Sequence, residues 1–203
     1  MTTKKFITSV LLVAITVTLF SFDLPTAWFK AGTKPNSYDM GIDKGAGQDG
    51  KNAATIKSIE QKIDGFGTLM QDCLPGKYLG KRIRMTGWLK TKDVSDWSGL
   101  WLRIDTKTPV KATVFDNMHD GKKDISVKGT TDWKKYEIIL DVPDSASGIA
   151  FGALLVGTGQ IWFDNLSFEI VAPDVMTTGM EMETQSSVYT PHQKEPSNLD
   201  FEK

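Results

Sequence analysis

Cysteine and histidine are scarce in this chain. Its 203 residues include one cysteine, Cys73, and two histidines, His119 and His192. A single cysteine excludes an intrachain disulfide and a cysteine-based zinc site. With two histidines and no HExxH motif, a histidine-rich metal site is excluded as well. We interpret Cys73 as a small buried hydrophobic residue and His119 as an exposed loop residue.

The sequence also lacks an excess of charge of either sign. Lysine and arginine total 24 against 25 acidic residues, so the formal net charge is −1. Without a basic stripe, no nucleic-acid partner is expected. Neither a Gly-x-Ser-x-Gly elbow nor a Ser–His–Asp set is present. Paired carboxylates are compatible with glycoside hydrolysis, but any acidic sheet face offers such pairs. We therefore expect a protein that is not an enzyme.

The N-terminus carries an uncharged apolar segment. Lys4 and Lys5 precede apolar residues 6–22, an arrangement typical of a secretory signal peptide. About 17 residues lie at the short end for a membrane-spanning helix, so an uncleaved anchor is the alternative. No cysteine follows the segment, which excludes a lipoprotein anchor. Residues 1–22 thus predict export to a secreted or periplasmic location, with membrane contact only through this segment if it is uncleaved.

Beyond residue 22 the sequence alternates with the period of β-strands. Residues 80–92 alternate most clearly and place Trp88 opposite an apolar face, while residues 99–105 repeat the pattern with Trp101, Arg103 and Asp105 on one side. Other candidate strands are 27–31, 50–59, 65–73, 111–118 and 133–142. With the two runs described next, eight or nine strands predict an all-β, antiparallel jelly-roll β-sandwich over residues 24–172.

Two apolar runs close the predicted sandwich. Ile149–Val156 and Gln160–Val171 are separated by Gly157 and Gly159, which predicts a hairpin. Their nearly unbroken apolar sequence is typical of core strands. Residues 173–203 are rich in Met, Thr, Ser, Gln, Glu and Pro, and this composition predicts a disordered tail.

A set of short motifs carries a family resemblance. The motifs are Trp28-Phe29-x-Ala31-Gly32, Tyr38 with Gly41-x-Asp43, Tyr78-x-Gly80-Lys81-Arg82, Trp101-x-Arg103-x-Asp105, Phe115-Asp116-Asn117-Met118, Gly129-Thr130-Thr131-x-Trp133, Asp141-Val142-Pro143, Phe151-Gly152-x-Leu154-Leu155 and Gln160-x-Trp162-x-Asp164. Over residues 25–171 the chain resembles an uncharacterised bacterial jelly-roll domain of the galactose-binding-like, carbohydrate-binding-module-like type. Such domains accompany AraC-type regulators and C-terminal-processing serine peptidases. The resemblance implies the fold and does not assign a ligand.

The chain departs from this pattern at its start. Domains of this type open with an Asn-Leu-x-Phe-Glu strand before the Trp-Phe segment, and here that position holds residues 21–24, partly inside the signal. The chain instead ends with Asn198-Leu199-Asp200-Phe201-Glu202. This segment either folds back as the missing strand, marks the start of a former second domain, or matches by chance within a disordered tail.

The strand face that carries Trp101, Arg103 and Asp105 is the best candidate for ligand binding. A tryptophan offers a flat surface on which a pyranose ring stacks, arginine donates to hydroxyls or carboxylates, and aspartate accepts from hydroxyls. Trp88, Asp116 and Asn117 are candidates to join them. The alternative is that Arg103 and Asp105 form a structural ion pair beneath a buried tryptophan.

Asp164 resembles the position at which many jelly-roll binding modules hold a structural calcium. Calcium takes six to eight oxygen ligands, and Asp43, Asp39 and backbone carbonyls of the glycine-rich loop at 45–50 would contribute. No acidic cluster with metal-loop spacing accompanies it, so the alternative is a turn or edge residue.

Together these observations predict an exported, non-catalytic binding module. The ligand class that fits the candidate residues is a carbohydrate, a glycan or another polyhydroxylated molecule. The alternative is a structural or protein-interaction domain without a small-molecule ligand.

Overall fold

The chain folds into β-strands throughout the part that the structure describes. A computed structural model describes residues 21–106, 113–182 and 190–203, so the predicted signal segment lies almost entirely outside the described residues. The ten strands are β1 Phe29–Gly32, β2 Tyr38–Asp43, β3 Ala53–Ser58, β4 Phe66–Cys73, β5 Lys81–Thr106, β6 Thr113–Asp116, β7 Val127–Val142, β8 Ala146–Val156, β9 Gln160–Val171 and β10 Met180–Met182. Within these ranges only two short 3-10 turns are helical, and neither is long and apolar enough to cross a membrane.

The 26-residue strand β5 joins two antiparallel sheets. Its N-terminal half pairs with β7 and β9, and β9 leads through β3 to β2; we call this group sheet 1. Its C-terminal half pairs with β8 and β6, which lead to β4, β1 and β10; we call this group sheet 2. Register shifts between Leu89 and Ser98, and a positive φ of 53° at Asp93, mark the bend between the halves. Bulges of this kind bend a strand and increase its twist.

The predicted hairpin of β8 and β9 is wrong. Gly157 and Gly159 do form a tight turn, with φ values of 73° and 129°. However, β8 pairs with β4 and the C-terminal half of β5, whereas β9 pairs with β3 and the N-terminal half. The turn therefore carries the chain from one sheet to the other, and the predicted strands 80–92 and 99–105 are the two halves of one strand.

The core lies between the two sheets. From β8 it receives Ile149, Phe151, Ala153 and Leu155, all fully buried. The intervening Ala150 and Leu154 belong to a second apolar cluster with Trp101 on the outer face of sheet 2. Because both faces of β8 are apolar, its sequence lacks the alternation of a strand with one wet face.

The expectation of a disordered tail is wrong for the described part of residues 173–203. β10 pairs with β6, and Phe201 is fully buried in the core. Beyond the end of β1, residues 190–197 run beside β4. Leu74 N–H donates to the Gln193 carbonyl at 3.0 Å, and the Gln71 side chain exchanges two hydrogen bonds with the Ser197 backbone.

Residues 198–203 close one end of the sandwich without adding a strand to either sheet. Leu166 N–H donates to the Leu199 carbonyl at 3.0 Å, and Thr26 N–H donates to the Lys203 carbonyl at 3.1 Å. A folded-back segment needs apolar anchors to offset the entropy it loses on docking. Phe201 and the partly buried Leu199 are those anchors here.

Candidate ligand-binding cleft

A cleft of about 400 Å³ lies on the outer face of sheet 2. Its lining comes from β1, β4, β5, β6, β8 and the loop after β6, and comprises Ala31, Gly32, Phe66, Thr68, Met70, Trp97, Trp101, Arg103, Phe115, Asn117, Asp120, Leu154 and Val156. Its size lies in the range of small-molecule sites, and such sites are mostly apolar with a few polar groups that orient the ligand. The lining has this character.

Trp101 forms the floor of the cleft. Its indole Nε1–H donates to the Thr68 hydroxyl on β4 at 2.8 Å, and this hydroxyl donates in turn to the Ala153 carbonyl at 2.7 Å. Because β8 runs between β5 and β4, the ring must cross it, and Gly152 lies opposite Trp101 at that crossing. Only 5% of Trp101 is exposed. Its ring is therefore a fixed base, with little area left for stacking.

Trp97 is the half-buried aromatic residue of the cleft wall. It lies on the same strand face as Trp101, and its indole stacks on the His119 ring with centroids 4.5 Å apart and planes 20° apart. His119 Nδ1 is 3.3 Å from a carboxylate oxygen of Asp124. His119 is thus half-buried and supports Trp97, and it is not a simple exposed loop residue.

Sequence reasoning missed Trp97 because it falls between the two predicted strands. Trp101, Arg103 and Asp105 define one side of the strand. Extending their alternation backwards by four residues places Trp97 on the same side, and this was the signal available in the sequence.

Arg103 and Asp105 form the ion pair that the sequence analysis gave as an alternative. Arg103 Nε is 2.9 Å from Asp105 Oδ1, and its Nη2–H donates to Oδ2 at 3.1 Å. The Asp105 side chain is 10% exposed and the Arg103 side chain 37%. The carboxylate therefore holds the guanidinium, and the guanidinium reaches the cleft.

Asn117 fixes the loop at the end of the cleft. Its side-chain oxygen accepts from the backbone N–H of His119 at 3.0 Å and of Asp120 at 2.6 Å. Its amide donates to the Asp120 carboxylate at 2.9 Å. Asparagine commonly closes turns in this way, and the result is a polar end wall.

Two of the six candidate ligand-binding residues lie away from the cleft. Trp88 is on the outer face of sheet 1, paired in register with Asp164 and Lys135. Asp116 points away from Arg103 and Phe115, and its carboxylate accepts from Met118 N–H at 2.7 Å. Burial raises the pKa of Asp116. The structure brings Trp101, Arg103 and Asn117 together in the cleft lining, with Asp105 paired to Arg103, and leaves Trp88 and Asp116 apart.

Two of the carboxylates proposed for calcium receive N–H donors. Asp164 accepts from the backbone N–H of Gln48 at 3.0 Å and of Asn165 at 2.6 Å, and burial raises its pKa. Asp43 accepts from the Trp162 indole N–H at 2.7 Å. Across residues 21–106, 113–182 and 190–203, no three acidic, histidine or cysteine side chains are grouped to hold a metal. Calcium takes at least six oxygen ligands, so backbone carbonyls would have to supply most of them here, and the calcium site stays a prediction.

Comparison of the sequence with known proteins gives one informative relative. No protein-family model matches the chain. Over 176 residues, 86% of its length, the chain is 38% identical to the uncharacterized HTH-type transcriptional regulator YbfP of Bacillus subtilis strain 168. The match covers 56% of that protein, so the chain spans little more than half the length of this relative.

Solved structures share the fold at low sequence identity. The CBM22-1–GH10 modules of the Clostridium thermocellum endo-1,4-β-D-xylanase 10B match 75% of this chain and 28% of their own at 11% identity, with a TM-score of 0.55. The CBM22-1 xylan-binding domain of Paenibacillus barcinonensis Xyn10C matches 73% of this chain and 89% of its own at 12% identity, with a TM-score of 0.51. These likenesses confirm the predicted sandwich of the carbohydrate-binding-module type and show the fold alone.

Proposed function

We propose that this domain, which has the β-sandwich fold of the carbohydrate-binding modules, binds a carbohydrate or another polyhydroxylated ligand in its cleft without transforming it. The observation that carries the proposal is the combination of Trp97 on the wall and Trp101 on the floor with Arg103 and Asn117 beside them. The sequence suggested Trp101 and Trp88 as the surface on which a sugar stacks. In this proposal the stacking surface is Trp97, and Trp101 is the floor beneath it.

The chemistry of the lining suits a sugar ring. A pyranose presents C–H groups on its faces and hydroxyls around its edge. The Trp97 indole and the apolar lining would receive a face, and aromatic rings contribute strongly to such contacts. Arg103 and the Asn117 amide are planar donors for hydroxyls. Both are held by neighbouring side chains, so little side-chain entropy is lost when the ligand binds.

The acidic residues near the cleft are already engaged. Asp105 holds Arg103, and Asp120 accepts from the Asn117 amide. A general acid or base must reach the reacting group with an appropriate pKa. These contacts favour positioning roles for both carboxylates, which supports a binding module over an enzyme.

The first test is a glycan array with the wild-type protein, Trp97→Ala and a control variant. Ile59→Ala is a suitable control because Ile59 is 62% exposed and does not line the cleft. We expect wild-type binding to at least one glycan, a loss of about tenfold or more for Trp97→Ala, which corresponds to about 1.4 kcal/mol, and no change for Ile59→Ala. No wild-type signal on any glycan would contradict the proposal.

The apolar share of the lining favours one alternative, a protein-interaction domain. Phe66, Met70, Leu154 and Val156 form a surface that would also receive an apolar side chain of a protein. Selection of displayed peptides tests this directly. Peptides that bind the wild type and Ile59→Ala but not Trp97→Ala, together with an empty glycan array, would establish this alternative.

Export of the domain is the remaining part of the proposal, and it rests on Lys4, Lys5 and apolar residues 6–22. Fractionation of a bacterial host that expresses the full chain, followed by N-terminal sequencing, tests it. We expect the protein in the medium or periplasm with the segment removed. A full-length product confined to the cytoplasm would contradict export.

A further inference from the structure

The outer face of sheet 1 carries a second aromatic ring that lies across the sheet. Trp162 is on β9, and its indole N–H donates to Asp43 on β2 at 2.7 Å. Strand β3 runs between them, and Thr55 lies opposite Trp162 on it. Thr55 is fully buried although it belongs to the outer face. The Trp162 ring therefore lies over Thr55, with its orientation fixed by Asp43.

Two further tryptophans share this face. On β5, Met85 and Leu89 belong to the buried core side. Trp88 belongs to the opposite, outer side, where it is half-buried. Trp133 is also half-buried and lies at the bulge of β7, between the register pairs Leu89–Lys134 and Thr91–Thr131. This position places it opposite Lys90. With neighbouring strands about 4.8 Å apart, the aromatic surface extends about 14 Å across the sheet from β7 to β3.

Lysines lie between and beside these rings. The Lys90 ammonium is 5.7 Å from the centre of the Trp162 ring. Lys135 lies opposite Trp88, and Lys92 and Lys57 lie opposite Gln160, two residues before Trp162. Lys57, Lys92 and Lys135 are exposed.

The acidic residues of this face accept hydrogen bonds from neighbouring groups. Asp39 lies opposite Lys57 and accepts from the Ser21 hydroxyl at 3.0 Å and from Phe22 N–H at 3.3 Å. Asp43 receives the Trp162 indole, and Asp164 receives two backbone N–H groups. Glu137 and Glu169 both contact Arg84, at 3.1 and 2.7 Å. The middle of the face thus combines aromatic rings with four lysines, Lys57, Lys90, Lys92 and Lys135, which share it with the hydrogen-bonded carboxylates of Asp39, Asp43 and Asp164.

We propose that the outer face of sheet 1 is a second binding surface, for an extended acidic polysaccharide. The Trp162 ring and its neighbours would stack on sugar rings, and the lysine ammonium groups would pair with carboxylates along the polymer. The lysines are separated by tryptophans and carboxylates and form no continuous basic stripe of the kind typical of polynucleotide-binding domains. This site is on the opposite sheet from the cleft and does not depend on the function proposed for the cleft.

Affinity electrophoresis and titration calorimetry with polygalacturonate test this proposal. Dextran serves as the neutral polymer and an oligodeoxythymidylate as the nucleic acid. We expect wild-type binding to polygalacturonate that weakens with added salt, at least tenfold weaker binding for Trp162→Ala, and a comparable loss for the double variant Lys90→Gln/Lys135→Gln. The lysine variants change polar, solvent-facing groups, so they remain informative if Trp162→Ala fails to fold.

A matched pair tests the role of Asp43. Asp43→Asn keeps an acceptor for the Trp162 indole and should bind nearly as well as the wild type, whereas Asp43→Ala frees the ring and should bind more weakly. The cleft variant Trp97→Ala should bind polygalacturonate like the wild type. Absence of wild-type binding to polygalacturonate, equal loss in Trp97→Ala, or tighter binding of the oligonucleotide would each overturn the proposal.

Discussion

The indole of Trp28 packs against the ring of Phe201, with ring centroids 5.0 Å apart. The same indole donates its N–H to the Asn198 carbonyl at 3.1 Å, and Phe201 also contacts the edge of Phe163 at 5.1 Å. Near the end of the chain, residues 198–203 thus supply a central core side chain. The segment after β9 is consequently part of the domain.

Phe201→Ala is expected to lower the free energy of unfolding by about 3–5 kcal/mol, because it removes a fully buried ring and leaves a cavity among aromatic neighbours. Guanidinium denaturation followed by circular dichroism measures this value. Met176→Ala is the control, since Met176 is 85% exposed and its truncation should change stability by less than about 0.5 kcal/mol. A loss below about 1 kcal/mol for Phe201→Ala would show that the segment is dispensable.

The thiol of Cys73 is expected to be inert in the folded protein. It is fully buried, and burial, with added repulsion from Asp72 and Glu195, raises its pKa to about 12. Since the thiolate is the reactive form, iodoacetamide at pH 8 should not label the native chain. Labelling is read as a mass shift, and Cys73 is the chain's one cysteine.

Truncation after residue 189 provides the contrasting case for Cys73. It removes Gln193, which pairs with Cys73 along the edge of β4. Labelling should then accelerate towards the rate of the urea-unfolded chain. Rapid labelling of the intact native protein would contradict both the burial of the thiol and the cover that this segment provides.

Thr68→Val is expected to destabilise the domain by about 1–3 kcal/mol, because valine leaves the buried Trp101 N–H without its acceptor. Urea denaturation measures the loss, and near-ultraviolet circular dichroism reports the tryptophan environment. Thr86→Val is the matched control. Its hydroxyl pairs with exposed Ser167 at 2.8 Å, and water can replace that bond. Equal losses in the two variants would show that the cleft floor does not depend on Thr68.

Alternation predicted the two faces of β5 correctly but not the course of the strand. Trp88 and Trp101 both point outwards, as the pattern indicates. The bend between them depends on bulges that arise where β5 exchanges its partners β7 and β9 for β8 and β6. Such pairings are set by distant residues, so the sequence could not show that the two tryptophans would lie on opposite sheets.

Composition also misled the prediction for the C-terminal segment. Averaged over residues 173–203, polar residues outweigh apolar ones. Docking, however, depends on a few anchors, and Phe201 with Leu199 supplies them at one end. These anchors stabilise the segment because the folded core leaves a space beside Trp28 and Phe163. That space is a property of the folded core and cannot be predicted from local composition.

The buried carboxyl of Asp116 predicts a specific dependence of stability on pH. Burial raises its pKa above the ordinary 3.8, against hydrogen bonds from Thr178 and Met118 that lower it. The native state therefore binds this proton more tightly than the unfolded chain does, and it loses stability as the pH rises from about 3.8 towards the raised pKa. Asp116→Asn removes this loss, so its stability relative to the wild type should be higher at pH 7 than at pH 3.

Asp124→Asn is the control, because the pKa of Asp124 is shifted in the opposite direction from that of Asp116. Hydrogen bonds from Ser126 lower the pKa of Asp124 below 3.8, so its carboxylate stabilises the native state above that pH, and the stability is lost as the pH falls through the lowered pKa. Denaturant titrations between pH 3 and pH 7 measure both differences. From pH 3 to pH 7 the stability of Asp116→Asn relative to the wild type should rise, and that of Asp124→Asn should fall. Parallel pH dependences in the two variants would contradict the assignment of a burial-raised pKa to Asp116.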